Sequence, residues 1–294
     1  MISGSMSSAR RDRIGGLGLL LFLAIAIVPL GASLLYAGLY SVGLTGLLNT
    51  GFTLDAWRRV LGGREVWASL ALSAGVALAV VALAAAGGLA LALALRGRPG
   101  GLDRGALSYA LYLPLALPGT VAALFTFQML TGGGLVPRLL LRLGVLANPE
   151  AYAAPVQDRW AIGIILTHAA LAVPFFALLF AKLHKSERID ELSTLAASLG
   201  ASGGQRLRRV EIPLLLRAAA SNLALLFVVV LGSYEIPLLL GRQAPQMLSV
   251  LTLRKYALFD LHQKPEAFVV ALIYTALVLG VIAVVFWRGR EDVS

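Results

Sequence analysis

Six apolar runs alternate with loops that carry most of the arginines, and this alternation constrains the fold more than any other feature of the chain. The runs are Leu17–Tyr40, Val66–Leu95, Leu107–Leu130, Trp160–Phe180, Leu214–Leu231 and Ala267–Trp287. A hydrocarbon core about 30 Å thick is crossed by roughly 20 apolar residues of α-helix. Inside it, backbone N–H and C=O groups find no water, so only helices and closed barrels can span. These runs are continuous rather than alternating, which points to helices. Composition agrees. Hydrophobic residues make up 59% of the chain and charged residues only 14%, against about 25% charged in soluble domains. The expected fold class is an all-α membrane protein with six transmembrane helices.

Within the runs, several features carry further expectations. Leu17–Tyr40 lacks a small-residue cleavage site after a short apolar core, so it reads as an uncleaved span rather than a signal peptide. Pro29 and Gly31 are expected to bend it. Val66–Leu95 is rich in Ala, Gly and Ser, which let helices approach closely where lipid supplies no hydrophobic drive. Pro114, Pro118 and Gly119 interrupt the third run, and such breaks persist where neighbours or a wet path satisfy the freed carbonyls. Val136–Val145 has an amphipathic pattern with Arg138 and Arg142 one turn apart, expected as a helix lying on the outer surface. Trp57, Tyr152 and Trp160 suit the headgroup region. A further short helix is expected within Pro245–Tyr256. Ser221 and Asn222 read as polar packing groups of the fifth span.

Several function classes lack their residues. The chain has no cysteine, so disulfides, thiolate nucleophiles and cysteine metal sites are excluded. His168 has no ligand partner at i+3 or i+4, and His184 and His262 fall in expected loops. A packed, hydrogen-bonded His168 is the expectation, with no metal and no cofactor. The net charge of +10 is accounted for by basic loops facing anionic headgroups and a cytosolic partner, not nucleic acid. None of the four lysines follows a glycine, so a phosphate-binding P-loop is absent. No catalytic Ser/His/Asp set or paired intramembrane carboxylates appear, leaving a membrane-embedded enzyme without visible chemistry. A secondary transporter is the other alternative; it would need intramembrane acids for ion coupling and usually more spans in repeats.

The longest polar interval runs from Arg188 to Pro213. Leu192, Leu195, Ala196 and Leu199 form an apolar stripe at helical spacing. Gly200 follows where a left-handed residue would close that helix. Ser202 and Gln205 have capping-box spacing, so a second helix is expected there. An apolar stripe on a polar loop requires a partner. This interval resembles the EAA loop of ABC-importer permeases: Gly200, nine residues, then Val210-x-Ile212-Pro213. Ala201 and Ser202 fit the pattern, as does Ala196. Thr194 stands where the family has Glu, and Leu195 where it has its first Ala. A second phrase, Gly232-Ser233-Tyr234-Glu235-Ile236-Pro237, resembles permeases for polyamines, ferric iron and thiamine-like solutes. Glu235 is the only acid in that apolar run, and an ionisable residue at membrane depth is a functional hypothesis by default.

The resemblance implies a type I ABC-importer permease fold. It implies a cytoplasmic tail over 1–16 and a first helix and outer loop over 17–65. A transmembrane core then covers 66–287 and contains the coupling loop at about 186–213, and a second tail covers 288–294. It also implies an ATPase dimer docking on Thr194, Leu195, Ala196, Leu199, Gly200, Ala201, Ser202 and Pro213. A second permease subunit and an extracytoplasmic solute-binding protein complete the expected assembly. The expected solute pathway involves Glu235, Tyr234, Ser233 and Gln128. The chain would sit in a bacterial or archaeal inner membrane with both termini cytoplasmic, and would hydrolyse no ATP itself.

Overall fold

A computed structural model describes residues 5–46, 51–96 and 106–291. The ends of the two expected tails, residues 1–4 and 292–294, lie outside these. The described residues are helical throughout their regular structure, with no strand among them. In chain order the helices are α1 (Ser5–Ser41), α2 (Asp55–Gly62), α3 (Arg64–Leu95), α4 (Ala106–Tyr112), α5 (Gly119–Leu130) and α6 (Leu135–Arg142). Then come α7 (Ile162–Ser186), α8 (Ile189–Ser198), α9 (Gly203–Arg206), α10 (Ile212–Ala218), α11 (Ala220–Leu231), α12 (Glu235–Leu240), α13 (Leu248–Ala257) and α14 (Lys264–Glu291).

Five stretches are long and apolar enough to cross a membrane: Gly18–Ser41, Arg64–Leu95, Gly119–Arg142, Ile162–Ser186 and Lys264–Val285. A sixth arises if Gly203–Ala218 and Ala220–Leu231 count as one span bent by 55°. The fifth expected span is therefore not straight. It breaks at Ala219, which is fully buried in the core. The third expected span is also in pieces. Pro114 opens a 3-10 turn, Pro118 caps α5, and α4 stops at Tyr112. Length and hydropathy alone unite α5 with α6, but a turn at residues 131–134 divides them. Gly134 is required in that turn, since a Cβ there would stand 2.6 Å from the Met129 carbonyl oxygen. The short helix α6 is the one expected over 136–145. Helix α1 runs through Pro29 and Gly31 without interruption.

The contacts divide the chain into two units: Met1–Gly63 with Thr252–Ala276, and Arg64–Leu251 with Leu277–Ser294. In the first, Tyr36, Tyr40 and Tyr256 surround Phe268, the tightest ring pair being Tyr40 and Phe268 at 4.3 Å. Trp57 donates its indole N–H to Ser41 Oγ at 3.1 Å, and Glu266 accepts from both Arg59 (2.8 Å) and Lys255 (3.1 Å).

In the second unit, α3 packs against α7 and α11. Its buried face carries a ladder of small residues, Ser69, Ser73, Ala77, Ala84, Gly88 and Ala92, interleaved with Val76, Val80 and Leu89. The closest approach is at Gly88, where a Cβ would lie 2.7 Å from Phe176 Cβ. Around it lies a core of Ala84, Leu89, Leu95, Phe176, Phe180, Leu215 and Ala219. Ile189 of α8 belongs to the same core, so the polar interval is anchored to the spans. Of the two expected packing groups, Asn222 is half-buried and Ser221 is exposed on α11.

Candidate functional site

Two places in the second unit merit chemical description. The first is the polar interval, which folds as a helical hairpin. Arg188 precedes α8 with φ of 48°. Asp190 and Glu191 occupy the first turn, where carboxylates favour the helix dipole. Gly200 has φ of +87° and closes the helix; its N–H reaches the Ala197 carbonyl at 2.9 Å. The capping box is present: the Ser202 N–H donates to Gln205 Oε1 at 2.9 Å, and the Gln205 N–H donates to Ser202 Oγ at 3.4 Å. After α9 the chain widens into a π-turn over Leu207–Glu211. Pro213 follows; it has no N–H and its ring crowds the carbonyl four residues back, and a widened turn relieves both.

The stripe faces outward. Helix α8 buries Ile189 and Ser193. It leaves Leu192, Leu195 and Leu199 exposed at 42%, 60% and 82%. Ala196 and Ala201 are half-buried, and Thr194, Gly200, Ser202 and Pro213 are exposed. The Thr194 hydroxyl turns back and donates to the Asp190 carbonyl at 2.8 Å.

Beneath the hairpin lies a charged network. Glu211 is only 4% exposed. Its carboxylate accepts from Ser193 Oγ at 2.8 Å and from Arg96 Nη1 at 2.8 Å. The same Arg96 nitrogen lies 2.8 Å from His184 Nε2, and His184 Nδ1 lies 3.6 Å from Asp190. A buried carboxylate persists only when paired and hydrogen-bonded, and removing one partner of such a pair costs roughly 3–5 kcal/mol. Arg96 keeps part of its side chain in water, which lowers its own desolvation cost.

The second place is a cavity of about 590 Å³ between α7, α11 and α12. Its polar lining is His168, Asn222, Ser233, Tyr234 and Glu235, set among Phe175, Leu225 and other apolar side chains. His168 Nε2 lies 3.0 Å from Ser233 Oγ, so it is packed and hydrogen-bonded as expected. The Ser233 carbonyl accepts from Ser249 Oγ at 2.5 Å. Glu235 opens α12 and is exposed. Its Oε2 would stand 3.0 Å from a Cβ at Gly119, the first residue of α5. The carboxylate therefore sits at a helix N-terminus, whose free N–H groups favour negative charge. Gln128 is on the same helix but nine residues further, about 13 Å along the axis, and is exposed outside the cavity lining.

This architecture closely matches solved membrane assemblies. A crystal structure of a bacterial ABC transporter involved in the import of the acidic polysaccharide alginate matches with a TM-score of 0.71 at 14% identity, over 97% of this chain and 98% of that one. The fold is that of an ABC-importer permease. The bacterial alginate ABC transporter in complex with its alginate pentasaccharide-bound periplasmic protein matches that permease fold with a TM-score of 0.73, at 15% identity over 99% of this chain and 98% of that one. The sequence is 26% identical to the thiamine transport system permease protein ThiP of Brucella suis biovar 1 (strain 1330), over 97% of this chain and 48% of that protein. It is 25% identical to a Salmonella typhi protein named as a 2-aminoethylphosphonate transport system permease, PhnV, over 73% of this chain and 72% of that protein. The chain spans about half the length of the thiamine permeases it matches. No family model matches it.

Within this permease fold, the sequence pattern marked the hairpin and its turn but missed the network beneath it. His184 was expected in a loop; it lies in the last turn of α7 and is buried. The sequence pattern singles out neither Arg96 nor Glu211. The available signal was an acid placed directly before an apolar run that opens with Ile212-Pro213.

Proposed function

We propose that the chain is the membrane-spanning permease subunit of a type I ABC importer and forms the solute path of a larger complex. The observation that carries this is the outward face of α8. Three leucines on an otherwise polar hairpin expose apolar surface that needs a cover. A cleft on a separate ATPase supplies it. Thr194, Leu195, Ala196, Leu199, Gly200, Ala201 and Ser202 would form that contact, with Pro213 setting the start of the following span. The pattern of relatives, all named as permease proteins, supports a transport subunit that leaves ATP hydrolysis to its partner.

The assembly would contain two ATPase subunits, a second permease copy or homologue, and an extracytoplasmic solute-binding protein. It would sit in an inner membrane with the hairpin and both termini on the cytoplasmic side. Closure of the ATPases would move the hairpin as a lever and rock the spans between inward- and outward-facing states. The solute path would include the cavity at Glu235, with Tyr234 and Ser233, and Gln128 further along α5. Glu235 favours a small polar solute carrying positive charge. One relative is named as a thiamine permease, so among the polyamine, ferric iron and thiamine-like solutes suggested by the Gly232–Pro237 phrase a thiamine-like cation is the best supported.

The test is capture of the cognate ATPase subunit by the co-expressed chain. Leu199 is 82% exposed, so Leu199→Asp should leave folding within about 0.5 kcal/mol. With Leu195→Asp added, ATPase co-purification should fall at least about tenfold at unchanged membrane levels of the chain. Wild-type capture by the double variant would overturn the proposal.

A further inference from the structure

We infer that Glu211 is the positioning residue that makes the hairpin and the spans move as one body. This rests on the proposed importer function and goes beyond it by naming the joint. A lever transmits motion only if its fulcrum is stiff. The apolar anchor of α8 is Ile189, its one buried hydrophobic residue, whereas the far arm of the hairpin runs on into α10, whose Leu215 joins the same core. One side chain in a core fixes a position but resists rotation poorly, because dispersion contacts are non-directional.

Glu211 supplies direction. Its two carboxylate oxygens are divided between two elements: Oε1 accepts from Ser193 on α8, and Oε2 accepts from Arg96 at the end of α3. The residue itself ends the π-turn that leads into α10. Arg96 then continues the chain of contacts to His184 in the last turn of α7. A single carboxylate thus joins the first helix of the hairpin, the second, and the ends of two spans. Charge-assisted hydrogen bonds of this kind hold geometry more tightly than neutral ones. Thr194, which stands in place of an acid on the exposed side of α8, bonds its own helix instead. The acid that fixes α8 comes from the far arm of the hairpin.

The experiment uses the absence of native cysteines. Leu225 lines the cavity and is exposed, so Leu225→Cys reports access to it through a membrane-impermeant maleimide. The full chain is reconstituted in nanodiscs with the cognate ATPase subunit, and labelling is compared without nucleotide and with ATP plus vanadate. In the Leu225→Cys background, nucleotide should change the labelling rate at least about fivefold. Glu211→Gln should retain ATPase capture and ATP hydrolysis within about twofold while its labelling change falls below about twofold. Arg96→Lys keeps the charge opposite Glu211 and should recover most of the response; Ser193→Ala removes one bond without a charge and should give an intermediate one. A full labelling response in Glu211→Gln, or equal responses in Arg96→Lys and Arg96→Gln, overturns the joint. Should Glu211→Gln fail to insert, the Arg96 pair decides alone. A Leu225→Cys chain that captures no ATPase overturns the importer function and the joint with it.

Discussion

At the scale of single residues, the decisive positions are ones where local physics admits few alternatives. Gly200 adopts φ of +87°, a conformation that costs an L-residue with a Cβ roughly 1–2 kcal/mol. The conformation ends α8 and sets the angle of the hairpin. Glu235 is a different case. This acid in an apolar run is exposed, and its carboxylate lies near the N-terminus of α5, 3.0 Å from where a Cβ at Gly119 would stand. The substitution Glu235→Gln keeps the shape and removes the charge. If this carboxylate offsets a positive solute, uptake of thiamine per assembled complex in liposomes, with the solute-binding protein in excess, should fall at least about fivefold, about 1 kcal/mol. Complex yield and basal ATP hydrolysis should stay near wild type. Unchanged uptake would remove Glu235 from the path; loss of yield with unchanged uptake per complex would make it structural.

At the scale of elements, the pairing of α3 with α7 rests on small residues. The ladder from Ser69 to Ala92 brings the two backbones together, and the contact at Gly88 leaves no room for a methyl group. Dispersion across such an interface is lost steeply as the gap widens. The prediction is that Gly88→Ala destabilises the chain by about 1–3 kcal/mol through overpacking, read as a lower thermal midpoint in detergent. Gly75, on the same helix with open space around its Cα, is the control: Gly75→Ala should be neutral or slightly stabilising by helix propensity. Equal midpoints for the two variants would contradict the packing account. The small-residue composition of α3 announced close packing. It did not announce the partner, because a stripe of small residues fits any helix that presents a matching ridge.

At the scale of the whole molecule, topology follows from the parity of spans. We propose six crossings, with the bent pair counted as one, which would bring both ends to the same side. In that proposed arrangement the third crossing ends at the turn at residues 131–134, and this turn and the hairpin face opposite sides. The chain has no cysteine, so single substitutions report sidedness cleanly. Ser202→Cys should label only from the cytoplasmic side and Gly133→Cys only from the outer side, both positions being exposed. Outside labelling at Ser202→Cys would overturn the orientation and the importer function with it.

What the sequence determined by itself is what depends on neighbours within a turn or two. Continuous apolar runs fixed the helical, membrane-spanning class, because lipid leaves a backbone no other way to satisfy itself within a run. Spacing alone placed the end of α8 at Gly200 and the cap at Ser202 and Gln205, since those bonds close within three or four residues. Only the tertiary structure decided which face of α8 stays outside, because Ile189 and the leucine stripe are both apolar and the core accepts one of them. The 55° bend likewise carries no Pro or Gly signal at Ala219, a residue whose burial in the core only the fold shows. Arg96 and Glu211 are 115 residues apart, and a contact across that separation has no local signature. Each was legible as a charge, and only the fold made them a pair.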